Sequence, residues 1–200
     1  MPLKQTICKG WLWCRQGFFA LGVLAVLSAF HGTAQAQSTA LSNTARPEIG
    51  ALGAVAATPP VRLKVWGFEV YDARLWTPRQ FRHSQAMQFP FALELQYLRS
   101  LEGAAIAKRS VQEMQRIGSF TEAQSQAWLA ALRAMFPNVS AGERITGVNL
   151  PGVGAEFWVN GQRVGEIKDP AFARLFFGIW LDERTSEPKM RSQLLQGLPP

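Results

Sequence analysis

The chain has 200 residues, with 21 Lys+Arg against 14 Asp+Glu and a formal net charge of +7. Its basic residues are spread along the sequence without a run, which argues against nucleic-acid recognition. Cys8, Cys14 and His31 all fall in the first 36 residues, leaving His83 as the remaining histidine. A disulfide framework, a thiolate metal site and a multi-histidine metal site are therefore excluded beyond that point, and no metal or cofactor is expected.

Lys4, Lys9 and Arg15 form a positive leader, and no acidic residue precedes Glu48. Residues 17–30, GFFALGVLAVLSAF, make an apolar stretch of 14, followed by the small-x-small pattern Ala34-Gln35-Ala36. This is the layout of a secretory signal peptide, residues 1–36, cleaved after Ala36. The alternative is an uncleaved anchor, but a span needs about 20 apolar residues. The expected product is secreted, in the periplasm, with no transmembrane span after cleavage. Removing the three leader cations leaves 18 basic residues against 14 acidic ones. That mild positive balance suits an anionic ligand or a membrane surface.

Residues 37–60 are rich in Ala, Ser, Thr and Pro and carry no period, so they read as a flexible linker. The folded unit is expected over residues 61–197, a single-domain length. It opens with VRLKVWGFEVYDARLWTP, residues 61–78. Val61, Leu63 and Val65 alternate with Arg62 and Lys64, which is strand periodicity. Gly67 marks a bulge or a turn, and Phe68 and Val70 resume the alternation. An arginine inside such a run must either face solvent or meet an anion. Phe91, Leu93, Leu95 and Tyr97 then alternate with Ala92, Glu94 and Gln96, the clearest strand of the chain. One face of the sheet is thus covered and the other at least partly wet.

A helix is expected over residues 100–117, with Ser100 as cap and Ile106, Val111 and Met114 turned inward; Gly118 stops it. Ser119-Phe120-Thr121-Glu122 carries a capping-box pattern. It opens a second helix to Met135, with Trp128, Leu129, Leu132 and Met135 as its stripe. Residues 145–150 and 155–159 read as strands. Asn160-Gly161 joins the latter to residues 162–167 through a type I′ turn. Asp169-Pro170 caps an apolar helix, AFARLFFGIWL, and a last short helix spans residues 187–196. The order is β-β-β, α-α, β-β-β, α-α. Grouped strands and helices indicate an α+β fold with helices on one face of an antiparallel sheet.

Three blocks resemble the chalcone isomerase-like family: VRLKVWGFEVYDARLW, LELQYLRSLEGAAIAKRSV and LPGVGAEFWVNGQRVGEIKDPAFARLFFGIWL. The resemblance implies an open-faced β-sandwich, a large antiparallel sheet under a helical layer, with a ligand cleft between them. The family includes plant enzymes that cyclise chalcones, fatty-acid-binding members and members without known activity. In the enzymes an Arg steers the phenolate while Tyr, Lys, Asn and hydroxyl residues hold the ketone. By position, Arg62 matches that Arg and Tyr71 falls near the strand Thr. Ile106, Arg109 and Glu113 fall at the helix positions, and Ile179 at the late hydroxyl position. Ile106 has no donor and Glu113 would repel a developing oxyanion, so the resemblance implies lost cyclase activity.

The fatty-acid-binding members keep an Arg and a Tyr for the ligand carboxylate, and Arg62 with Tyr71 resembles that pair. Thr58-Pro59-Pro60 stands where the family has Gly-x-Gly. The expected partner is therefore a small apolar anion such as a fatty acid. Arg62 and Tyr71 are its candidate ligand residues, and Arg109, Arg74 and Arg99 are weaker ones. Two alternatives remain: an isomerase or lyase acting on an enone-like substrate, and a structural protein of the envelope. Trp66, Trp76, Trp128, Trp158 and Trp180 are expected mostly in the core.

Overall fold

The computed structural model describes residues 46–53 and 55–200. The expected signal peptide and the first part of the expected linker lie outside these residues. Among the described residues there are seven antiparallel strands: β1 (Val55–Ala57), β2 (Val61–Val65), β3 (Phe68–Pro78), β4 (Phe91–Tyr97), β5 (Arg144–Leu150), β6 (Gly154–Val159) and β7 (Gln162–Ile167). They form one sheet in the order β1-β3-β4-β5-β6-β7, with β2 also on β3. Five helices accompany it among the described residues: the single turn α1 (Pro47–Gly50), then α2 (Gly103–Ile117), α3 (Glu122–Met135), α4 (Pro170–Leu181) and α5 (Pro188–Leu194). A 3₁₀ segment, His83–Gln88, precedes β4.

Side chains alternate across the sheet. Ala73, Leu75, Phe91, Leu93, Leu95, Tyr97, Ile145 and Phe157 point to one face and join the main core with α2, α3 and α4. α4 is buried along most of its length because it carries almost no polar residue. Its N-cap Asp169 accepts from the amides of Ala171 and Phe172, and its other carboxylate oxygen accepts from Trp128 Nε1 at 3.2 Å. One acid thus caps α4 and ties α3 to it. A capping box does open α3, but two residues later than expected: Thr121, not Ser119, is the cap, and Gln124, not Glu122, is the reciprocal partner.

Three expectations are corrected. The stretch up to residue 60 is not all linker. β1 pairs with Trp76 to Pro78, and Thr58 exchanges bonds with Leu75 through its amide (2.8 Å) and its Oγ1 (3.1 Å). Thr58 keeps the β3 edge paired just ahead of Pro59-Pro60, which have no N–H to give. α1 lies on the outer face, where Ile49 packs with Ala92 and Val148. There Arg46 and the buried Arg144 both pair with the buried Glu94, and Thr146 Oγ1 donates to Glu48. At the other terminus, the amide of His83 donates to the carbonyl of Pro199, so the fold extends beyond residue 197.

The second correction concerns α2, which starts at Gly103, with Glu102 rather than Ser100 in the N-cap position. The amide of Gly103 donates to Asn138 Oδ1 instead, at 3.1 Å. The third concerns Trp66, which lies outside the core and is 95% exposed.

Candidate functional site

A cavity of about 540 Å³ lies between the inner face of the sheet and the helical layer. Volumes of this order are typical of small-molecule sites. β2, β3 and β4 form one wall through Leu63, Val70, Tyr71, Leu95 and Tyr97. α2 forms the opposite wall through Ile106, Arg109, Ser110 and Glu113. Phe176, Ile179 and Trp180 of α4 close one side, and the α4–α5 connection with Met190 and Arg191 closes another. Apolar side chains dominate this lining.

The polar lining comprises Tyr71, Arg109, Ser110, Glu113, Thr185 and Arg191, among others. Trp180 Nε1 donates to Tyr71 Oη at 3.0 Å, so the phenolic proton remains available as a donor. Tyr71 and Tyr97 face each other across β3 and β4 in register, with ring centroids 6.0 Å apart and edge to face. Arg109 pairs with the buried Glu113 at 2.6 Å, and Arg116 approaches the same carboxylate at 3.5 Å. Ser110 Oγ donates to the Ile106 carbonyl, Thr185 Oγ1 to the Ile179 carbonyl, and Arg191 Nε to the Leu181 carbonyl. Tyr71 and Arg109 are therefore the two groups best placed to meet a polar ligand group. Arg109 is exposed enough to exchange its partner for a ligand.

Burial pushes both phenols above their ordinary range, since a phenolate there loses hydration; the Trp180 hydrogen bond opposes this at Tyr71. A raised folded value favours the neutral form. Its contribution to stability is fully present below the ordinary value near pH 10 and is lost as pH rises beyond it. These are the chain's two tyrosines. Tyrosinate absorbance is therefore expected to stay absent past pH 10 and to appear together with alkaline unfolding. A phenol titrating near pH 10 in the still-folded protein would contradict the site's burial.

The expected ligand residues separate into two groups. Tyr71 and Arg109 come together in the cavity, and so do Ile106, Glu113 and Ile179. Arg62 does not join them. Its guanidinium makes a bidentate pair with Asp72 (2.8 and 2.9 Å) and a third bond to Glu69 (2.9 Å), all on the exposed face. The physical reason is a register shift. From the turn, Val65 pairs with Phe68 and Lys64 with Glu69; unbroken, this would set Arg62 opposite Tyr71 on one face. A bulge between Leu63 and Lys64 advances the pairing by one, so Arg62 meets Asp72 and Leu63 meets Tyr71. A one-residue shift sends a side chain to the other face. Arg74 also lies on the outer face, over the Trp76 ring at 5.8 Å, and Arg99 stacks on Phe68 at 5.3 Å.

Tyr97, Trp180 and Arg191 also line the cavity, beyond the residues expected from the sequence. Tyr97 sits in the clearest alternating strand, which marks it as inward-facing. Its meeting with Tyr71 depends on strand register, and Trp180 reaches Tyr71 across 109 positions of sequence.

Comparison with known proteins bears on this architecture. Residues 60–196 match the family described as chalcone isomerase-like. An uncharacterized protein of Haemophilus influenzae (strain ATCC 51907 / DSM 11121 / KW20 / Rd) is 28% identical over 131 residues, 65% of this chain. The chain spans 63% of that relative's length. Among solved structures, the Arabidopsis thaliana fatty-acid binding protein superposes with a TM-score of 0.53 at 13% identity. That likeness covers 70% of this chain and 84% of the plant protein, and it speaks for the fold. The family match runs from the start of β2 through α5, across the strands and helices that wall the cavity, and the chain belongs to the chalcone isomerase-like family.

Proposed function

We propose that this protein is an exported, periplasmic binder of a small apolar anion, a fatty acid, and that it does not catalyse a reaction on it. The observation that carries the reading is the apolar cavity lined by both Tyr71, whose hydroxyl keeps its proton to donate, and Arg109. The acyl tail would lie against Leu95, Ile145 and Phe176, and the carboxylate would accept hydrogen bonds from the Tyr71 hydroxyl and the Arg109 guanidinium. A charge-assisted bond from arginine to carboxylate is the strongest polar contact available there. The plant fatty-acid binding protein of the same fold is consistent with this choice. Cyclisation is disfavoured because Ile106 offers no donor and Glu113 places a carboxylate where an oxyanion would develop. The signal-like leader supports the export part of the proposal.

Two tests address the reading. Organic extraction of the purified protein followed by mass spectrometry is expected to release acyl species, and palmitate is expected to bind by calorimetry. Glu113 competes with the ligand for Arg109, so Glu113→Gln is expected to raise palmitate affinity about fivefold, roughly 1 kcal/mol. Arg62→Ala is expected to leave the affinity unchanged, because Arg62 faces away from the cavity. No extractable lipid together with no palmitate binding would overturn the proposal.

A further inference from the structure

The β2–β3 hairpin ends in an apolar tip that the fold itself does not use. Trp66 is 95% exposed, Phe68 62% and Val65 40%. Trp66 and Gly67 occupy the two central turn positions with φ of 50° and 84°, the left-handed pattern of a type I′ turn. Asn, Asp or Gly is preferred at the first of these, and a bulky residue there is an outlier. Neither backbone preference nor core packing accounts for a tryptophan at this point. Val65 and Trp66 also line the cavity, so the tip is continuous with its mouth. Beside it, the Arg99 guanidinium lies over the Phe68 ring and forms no ion pair among the described residues. The acids of the β2–β3 hairpin itself, Glu69 and Asp72, are engaged by Lys64 and Arg62.

We infer that the Val65-Trp66-Gly67-Phe68 tip docks into the interfacial layer of an anionic phospholipid bilayer, seating the cavity mouth against the membrane. Three features select a bilayer over a protein partner. The tip offers three apolar side chains on a two-residue turn, far short of the ~800 Å² per partner of a stable protein interface. Tryptophan is enriched at the headgroup level, where one end of its ring is apolar and the other wet. Arg99 can hold its stem along Phe68 while its head meets lipid phosphate, the arrangement that long cations adopt at membrane surfaces. The inference rests on the acyl-ligand reading only for its purpose: the mouth would open onto the source of acyl chains. The docking itself rests on the tip.

The test uses the purified chain and vesicles of phosphatidylethanolamine and phosphatidylglycerol. Wild-type protein is expected to co-sediment with them, and brominated acyl chains to quench its tryptophan fluorescence. Phe68 does not line the cavity; Phe68→Asp is expected to weaken vesicle binding about tenfold or more and to leave palmitate affinity in vesicle-free solution unchanged. Trp66→Asn is expected to lose vesicle binding while its melting temperature rises, since asparagine suits the turn. A merely structural role for Trp66 would lower it. Wild-type protein that ignores vesicles, variants that bind as well as wild type, or tip-dependent self-association in place of vesicle binding would each overturn the inference. Vesicle docking without palmitate affinity would uphold the docking and sink the acyl-ligand reading instead.

Discussion

Replacing Gly103 with alanine is expected to lower the free energy of unfolding by about 3 kcal/mol or more. Two effects oppose each other, and their magnitudes decide the sign. Alanine is favoured over glycine in a helix by about 1 kcal/mol. A β-carbon at Gly103, however, would stand 2.0 Å from the carbonyl oxygen of Phe136 and 2.5 Å from that of Pro137. Both are backbone atoms, so no side-chain rotation relieves the overlap. The start of α2 would have to move away, straining the Gly103–Asn138 bond and the pairing of Leu101 with Val139. α2 carries Ile106, Arg109 and Glu113, so ligand affinity should fall with stability. Urea denaturation measures the effect; an unchanged or raised midpoint would show that α2 is not held by this close approach.

Ile106→Trp is expected to separate binding from folding. Ile106 is half-buried and borders open cavity volume, so the larger ring can enter space that no protein atom occupies. Overpacking a filled core costs about 1–3 kcal/mol, but here the stability change should stay within about 1 kcal/mol because the site is not filled. The same ring would take the volume that the acyl tail needs. Palmitate affinity is expected to drop ~100-fold, about 2.8 kcal/mol. Calorimetric titration together with a denaturation curve reads both quantities. Unchanged affinity with unchanged stability would place the ligand elsewhere.

The fold was legible where a single stretch of sequence carried its own signal. Phe91, Leu93, Leu95 and Tyr97 alternate as the inner face of β4, and Asp169-Pro170 caps α4 as read. Asn160-Gly161 forms the left-handed turn that its chemistry predicts. β1 was hidden because Val55-Ala56-Ala57 is too short for a period; its stability comes from the β3 edge and the Thr58–Leu75 exchange. The start of α2 was misplaced because its cap comes from Asn138, 35 positions away.

The site was legible only in part, for a related reason. The sequence placed Tyr71 on a strand and Arg109 on a helix, but their meeting is a matter of tertiary packing. The Arg62–Tyr71 pair failed on one bulge. A two-residue turn at Trp66-Gly67 with unbroken pairing would have put both on one face, and no glycine or proline at residues 63, 64 or 70 announces the irregularity. The acids Glu69 and Asp72 were the available hint, since they give Arg62 an anion on its own hairpin.

The most direct measurement is a crystal structure of the protein with palmitate bound. The account predicts the acyl chain between the inner sheet face and α2 and α4, with the carboxylate within hydrogen-bonding distance of Tyr71 Oη and Arg109. A chain bound outside this cavity, or a carboxylate held by Arg62 on the opposite face, would contradict it.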